Sequence, residues 1–109
     1  MSRRQVLFAL VLAGQLVVLY APRAPSAGGF PGVDKLVHVV VFGLVVAAGL
    51  RARVSRPLVF LVSVVQAPVS ELLQATVLPH RSGDPLDVVA DLLGCVLGWL
   101  VTRRVMMVR

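Results

Sequence analysis

Residues 57–78 read PLVFLVSVVQAPVSELLQATVL, and this stretch decides the fold class because it contains a single charged residue, Glu71. A bilayer core about 30 Å thick requires roughly 20 apolar residues per helix. Pro57 opens the stretch, where proline is tolerated because the N–H groups of a first helical turn have no partner within the helix. The stretch therefore predicts a helix that crosses a membrane.

Three further apolar stretches have similar length, and they cover residues 5–21, 35–51 and 85–102. Residues 22–32 are rich in proline and glycine, so they cannot form a regular helix. Hydrophobic residues make up 58% of the chain and charged residues only 15%, against about 25% in soluble domains. The mean hydropathy is +0.90. We therefore predict one all-α domain over residues 1–109, an integral membrane four-helix bundle.

The distribution of positive charge predicts the orientation. The formal net charge is +6, but the arginines stand in short clusters between apolar runs, without the basic face expected of a nucleic-acid-binding protein. With four spans, the basic residues divide into two sets, and each set falls on a single side of the membrane. One side has eight basic residues: Arg3, Arg4, Arg51, Arg53, Arg56, Arg103, Arg104 and Arg109. The other side has three: Arg23, Lys35 and Arg81. The positive-inside rule places both termini in the cytoplasm, as in a multi-pass plasma-membrane protein.

The first apolar stretch has an alternative interpretation as a cleaved signal peptide, because Arg3 and Arg4 precede it. The stretch is longer than a usual signal-peptide core, and Pro22 and Arg23 do not fit a small-residue cleavage site. We therefore treat residues 5–21 as a span. Gln15, its polar interior residue, is expected to make an interhelical hydrogen bond.

The acidic residues gather near the predicted outer ends of the spans, and the five are Asp34, Glu71, Asp84, Asp87 and Asp91. At about 1.5 Å per residue, Glu71 and Asp91 each lie about 10 Å deep. A charge at the centre of a membrane helix costs at least roughly 2.5–3.5 kcal/mol, so acids within spans indicate a functional site by default.

Helical spacing aligns these polar residues into stripes. Positions 84, 87, 91, 94 and 98 of the fourth span share one face and read Asp, Asp, Asp, Gly, Gly. The matching stripes begin at Lys35 and His38 on the second span and include Glu71 and Gln74 on the third. Glycines at this spacing let membrane helices approach closely. We expect a bundle that is tight on the cytoplasmic half and has a polar pocket open to the extracytoplasmic side.

The residue types suggest roles within this pocket. We assign His38, Glu71 and Asp87 as candidate catalytic groups, because a histidine beside carboxylates can serve as general acid and base. The candidate ligand-binding residues are Asp34, Lys35, Gln74, Arg81, Asp84 and Asp91. Lys35 and Arg81 would bind a phosphate or carboxylate. Asp34 and Asp84 also suit helix N-caps, since each directly precedes a predicted span.

A metal is not assigned from the sequence, and the identity of any cofactor stays open. His38, Glu71, Asp87 and Asp91 could hold a divalent ion, but no single helix carries two ligands at the spacing typical of metal sites. Cys95 stands alone, so it cannot form an intrachain disulfide.

Three segments together resemble the VanZ-like family of bacterial membrane proteins over about residues 33–100. They are Asp34-Lys35 followed by His38 and Phe42; Glu71 with Gln74; and Arg81, Asp87, Asp91, Gly94 and Gly98. The resemblance implies a membrane location and a cell-envelope role, since the family is named for a protein linked to teicoplanin resistance. It does not supply a reaction. The family pattern usually has Asn where this chain has Asp91.

We rank first the hypothesis that the protein binds or processes an anionic envelope lipid or peptidoglycan-precursor headgroup. Whether it is an enzyme stays open. The alternative is a structural or assembly subunit whose polar residues only fix helix packing. Transport ranks lower because four spans enclose little space. The lipid bilayer is the expected partner, nucleic acid is not, and the oligomeric state is left open.

Overall fold

The computed structural model describes residues 1–21, 32–78 and 84–108, and these form four α-helices. Their bounds are Arg3–Tyr20 (α1), Val33–Arg51 (α2), Arg56–Thr76 (α3) and Pro85–Val108 (α4). All four are long and apolar enough to cross a membrane. Exposed leucines and valines cover the outside of the bundle, among them Leu61, Leu72 and Leu86. The prediction of an all-helical fold with four helices long and apolar enough to span a membrane is therefore confirmed.

Local sequence explains where the helices begin. Ser2 caps α1 through a capping box, in which its hydroxyl accepts from the Gln5 N–H and the Gln5 side chain accepts from the Ser2 N–H. Gly32 precedes α2 with a φ of 82°, a left-handed conformation that glycine adopts without steric cost. Pro57 stands in the first turn of α3, and Asp84 precedes Pro85 at the start of α4.

The largest contact within the bundle is between α2 and α4. It is tight because backbone meets backbone: a Cβ atom added at Gly94 would overlap the Val39 carbonyl, and one at Gly98 would overlap the Gly43 carbonyl. Gly43 in turn lies against the Gly94 carbonyl oxygen, which would be 3.1 Å from an added Cβ. The close approach predicted for Gly94 and Gly98 is present, and it sets the distance between the two helices.

The two ends of the bundle differ in charge. We call the polar end the one where α2 and α4 begin and α3 finishes, and the basic end the opposite one. At the basic end, the Arg4 guanidinium donates to the Arg51 carbonyl at 3.4 Å. Arg53, Arg56 and Arg103 line a cavity of about 680 Å³ there, with Arg103 lying over the ring of Trp99. Four of the five acidic residues lie in the half of their helix nearer the polar end, and the fifth, Asp84, directly precedes α4 there.

Candidate functional site

Lys35 lies at the centre of the charged groups at the polar end and contacts three of them. Its Nζ lies 2.7 Å from a carboxylate oxygen of each of three aspartates, namely Asp34, Asp84 and Asp87. Two of these side chains are open to the surroundings, with exposed fractions of 62% for Asp34 and 42% for Asp84, whereas that of Asp87 is 8%. The ammonium therefore joins the start of α2 to the start of α4 and links the exposed surface to the interior.

His38 lies about one turn further along α2, between two carboxylates of α4. Its Nδ1 is 2.6 Å from Oδ1 of Asp91, and its Nε2 is 3.6 Å from Oδ2 of Asp87. Asp87 and Asp91 are four residues apart, so one helical face presents both. All three side chains are buried. The sequence grouped His38 with Glu71 and Asp87 as candidate catalytic residues, and the structure adds that the carboxylate nearest the His38 ring is that of Asp91.

Glu71 brings α3 into the same group. Its Oε2 accepts a hydrogen bond from the Asp84 backbone N–H at 2.8 Å. This places a carboxylate at the N-terminus of α4, where the helix dipole favours negative charge. The other oxygen, Oε1, has no hydrogen-bond partner among the described residues, and the same holds for Oδ2 of Asp91. These two buried oxygens have neither a hydrogen bond nor an ion pair within the described chain, whereas Oδ1 of Asp87 has the ion pair with Lys35.

Asp84 and Asp34 differ in their local role. Oδ1 of Asp84 accepts from the Leu86 N–H at 2.9 Å, as expected of a helix N-cap. The Lys35 ammonium and this backbone N–H hold the pKa of Asp84 below its usual range. The N-cap expectation for Asp34 is wrong, because α2 already begins at Val33 and Gly32 occupies the cap position. Asp34 instead lies within the first turn.

Gln74 makes its hydrogen bond away from the charged residues. It is buried, and its amide donates to the backbone carbonyl of Leu19 at 2.9 Å, which ties α3 to α1. Sequence reasoning did not single out Gln66, whose amide donates to Oε1 of Gln15 and whose own oxygen accepts from Tyr20 at 3.4 Å. The interhelical bond expected of Gln15 is thus present. The available signal for Gln66 was a polar residue in an apolar span.

Seven of the predicted site residues converge at the polar end, and we call them the polar cluster: Asp34, Lys35, His38, Glu71, Asp84, Asp87 and Asp91. Gln74 bonds to the backbone of α1 instead. Arg81 lies outside the described residues, as does His80. The cluster contains five carboxylates, and among the described lysines and arginines only Lys35 forms a salt bridge with them.

Two groups within the polar cluster could hold a metal ion. One ligand atom from each of His38, Glu71 and Asp91 lies within 4.8 Å of the others, and all three residues are buried. The second group, Asp34, Asp84 and Asp87, extends from exposed Asp34 to buried Asp87 and already surrounds Lys35. In both groups the candidate ligands come from more than one helix, so spacing along the sequence could not reveal them.

Comparison with known proteins identifies the family of the chain. Residues 3–107 match the family described as VanZ/LLP1, which covers α1 to α4 almost completely. The chain belongs to the VanZ/LLP1 family. No significant match was found among curated proteins or among solved structures. The resemblance first noted over residues 33–100 is thereby confirmed, and in this VanZ/LLP1 protein it extends to α1.

Proposed function

We propose that this VanZ/LLP1 protein binds, at its polar end, the headgroup of an anionic envelope lipid or peptidoglycan precursor. One observation carries the proposal: charged contacts run without a break from the surface into the bundle. Exposed Asp34 contacts Lys35, and Lys35 contacts buried Asp87. Asp87 in turn faces His38, which is bonded to fully buried Asp91.

Packing alone does not require such an arrangement. The contact between α2 and α4 is made by Gly43, Gly94 and Gly98, so the helices already approach closely without charged groups. A charged side chain inside a membrane is costly and usually marks a binding or catalytic site. The cost is easier to explain if the polar cluster contacts a ligand.

The location favours a lipid headgroup. The arginines at the basic end support a cytoplasmic location for that end, which would put the polar cluster at the extracytoplasmic side, about one to two turns below the surface. Among the described lysines and arginines, Lys35 is the one at the polar end, and its side chain is 29% exposed. Its ammonium, together with Arg81 in the neighbouring connection, would bind the anionic group. The carboxylates would accept hydrogen bonds from hydroxyl or ammonium groups of the same headgroup.

Processing of the bound lipid is a second candidate, and the contact between His38 and Asp91 favours it. A carboxylate bonded to one imidazole nitrogen fixes the orientation of the ring and the protonation of the other nitrogen. That leaves Nε2, 3.6 Å from Asp87, as the nitrogen that could exchange a proton with a substrate. Turnover of a lipid-linked substrate by the purified protein, lost in His38→Gln, would distinguish processing from binding.

Binding is tested with the purified full-length protein in detergent. Short-chain phosphatidylglycerol and a polyprenyl phosphate serve as anionic probes, short-chain phosphatidylcholine is the contrast, and native mass spectrometry measures occupancy. Hydrogen bonds to charged groups contribute about 1.5–3 kcal/mol, so Lys35→Ala and Arg81→Ala should each weaken binding of the anionic probes at least about tenfold. Arg103→Ala, which removes a cation from the basic end, is the matched control and should change nothing.

The structural alternative predicts a different result. If the polar cluster only fixes helix packing, the wild type shows no preference for the anionic probes, and Glu71→Gln and Asp87→Asn lose thermal stability in proportion to any loss of function. A variant that is folded, monodisperse and unable to bind would exclude that alternative. Equal binding by wild type, Lys35→Ala and Arg81→Ala would overturn the proposal.

A further inference from the structure

We propose that His38, Glu71 and Asp91 form a site for a divalent transition-metal ion such as Zn²⁺ or Mn²⁺. The three residues come from α2, α3 and α4, and one ligand atom of each lies within 4.8 Å of the others. In a tetrahedral site, ligand atoms that each lie about 2.0–2.2 Å from the ion are about 3.4 Å from one another. Small side-chain rotations therefore suffice to bring all three onto one ion.

The unsatisfied oxygens of the carboxylates point to a missing ligand. Glu71 and Asp91 have exposed fractions of 6% and 0%, and each has one oxygen without a hydrogen-bond partner among the described residues. Buried polar groups are almost always hydrogen-bonded or bound to an ion. A bound cation would satisfy both oxygens at once, whereas a purely structural role of Glu71 and Asp91 in helix packing leaves these oxygens without a partner.

Charge balance separates this group from its neighbours. Asp87 lies 2.7 Å from the Lys35 ammonium, a single positive charge that it shares with Asp34 and Asp84. Neither Glu71 nor Asp91 has a salt bridge to a lysine or arginine within residues 1–21, 32–78 and 84–108. Two carboxylates and a neutral imidazole around a divalent ion have no net formal charge. A buried site then needs no further counter-ion.

The donor set indicates the class of metal. Imidazole nitrogen suits Zn²⁺ and other transition metals, whereas sites for Mg²⁺ and Ca²⁺ are built from oxygen alone. Three protein ligands leave at least one coordination position open, as in catalytic rather than structural zinc sites. An open position facing the polar end could accept a phosphate oxygen. The metal site itself does not depend on the proposed lipid binding, and it is tested without lipid.

Metal binding is measured on detergent-solubilised, full-length protein that carries no histidine tag and has been stripped with a chelator. Zn²⁺ is titrated by competition with a chromophoric indicator, and Mn²⁺ by the loss of its free-ion electron paramagnetic resonance signal. We expect about one equivalent per chain for at least one of the two ions, retained after desalting. Binding should also raise the thermal unfolding temperature, because a ligand that binds only the folded state stabilises it.

Variants locate the site. Asp91→Asn and Glu71→Gln keep side-chain size but remove one ligand charge each, and each should weaken metal affinity more than tenfold, since even residues behind the ligands contribute 10–100-fold. Two variants are matched controls and should bind the metal normally. They are Asp34→Asn, from the group of aspartates around Lys35, and His80→Ala, which removes the only other histidine of the sequence. Size-exclusion profiles and circular dichroism verify folding of every variant.

Three results would overturn the proposal. The first is the absence of saturable Zn²⁺ or Mn²⁺ binding by the wild type. The second is normal metal binding by whichever of Asp91→Asn and Glu71→Gln folds. The third is loss of binding in Asp34→Asn or His80→Ala, which would place the ion elsewhere. None of these outcomes bears on whether anionic lipids bind, so failure of the two proposals can be told apart.

Discussion

Oδ1 of Asp91 lies 2.6 Å from Nδ1 of His38, on two helices whose backbones are in direct contact. Asp91 is one turn from Gly94, and Gly94 packs against Val39, the neighbour of His38. The buried contact between the two polar side chains is therefore positioned by a glycine contact less than one helical turn away. Stability and site geometry should respond together to changes at the glycines.

Gly94→Ala and Gly98→Ala should destabilise the protein, because the added Cβ meets a backbone carbonyl that no side-chain rotation can move away. Overpacking of this kind costs about 1–3 kcal/mol. Gly14→Ala is the matched control, since among the described residues no atom beyond its chain neighbours and the backbone of its own helix lies within 4 Å of the added Cβ. Alanine there should favour the helix. Thermal unfolding in detergent measures all three, and equal effects at Gly14 and Gly94 would contradict the prediction.

Phe42→Ala should destabilise the bundle more than Leu44→Ala. Phe42 is fully buried, whereas Leu44 has an exposed fraction of 51% and faces the lipid side. The loss should fall below the about 3–5 kcal/mol typical of soluble cores, because lipid is as apolar as the protein interior and only packing contacts are lost. Reversible unfolding in mixed micelles compares the two variants, and a larger effect at Leu44 would refute this burial pattern.

Gln74→Leu should reduce stability without reducing ligand binding per folded molecule. The substitution removes the hydrogen bond to the Leu19 carbonyl, and interhelical bonds of this type contribute about 0.6–1.7 kcal/mol. This separates Gln74 from the polar cluster, although the sequence grouped them. Unfolding and probe occupancy are measured on the same preparation. Selective loss of occupancy, with stability unchanged, would return Gln74 to the binding site.

The stabilising effect of Asp84 should disappear at low pH. Its pKa is lower in the folded protein, mainly because of the Lys35 ammonium, so the carboxylate stabilises the fold above its unfolded pKa and loses this effect as the pH falls through the folded value. The unfolding temperature of the wild type should exceed that of Asp84→Asn at neutral pH, and the difference should shrink below about pH 4. Asparagine can still cap α4, so the difference reports the ion pair. A difference independent of pH would contradict this assignment.

The orientation with both termini in the cytoplasm can be tested by cysteine labelling. The single native cysteine, Cys95, has an exposed fraction of 2%, so background labelling should be low. In intact cells, a membrane-impermeant maleimide should label Asp34→Cys but not Ser2→Cys. After permeabilisation, both positions should react. The reverse pattern would place the polar cluster at the cytoplasmic side.

The helices could be predicted from the sequence because their signals are local. Hydropathy identified four spans, starting at residues 5, 35, 57 and 85, and the observed helices begin at Arg3, Val33, Arg56 and Pro85. Helical spacing placed the buried acids and the close-packing glycines on shared faces. Periodicity alone supplies that information.

The pairing within the polar cluster could not be predicted. Asp87 and Asp91 lie one turn apart on the same face, so the sequence cannot distinguish which of them contacts His38; the distances of 3.6 Å and 2.6 Å depend on how α2 and α4 pack. The partner of Gln74 is a backbone carbonyl of α1, which has no side-chain signature. The N-cap prediction for Asp34 was wrong because α2 begins earlier than expected, directly after Gly32 in its left-handed conformation.

Close packing at Gly43, Gly94 and Gly98 provides a criterion for sorting other members of the family. We expect a chain with a bulky residue at the equivalent of Gly94 or Gly98 to hold its second and fourth helices further apart, because a side chain at these positions overlaps a carbonyl of the second helix. The equivalents of His38 and Asp91 would then also be further apart. The small size of Gly43, Gly94 and Gly98 thus determines whether the side chains of the polar cluster can come into contact. Homologues that lack them should be classified separately, even where every charged residue is retained.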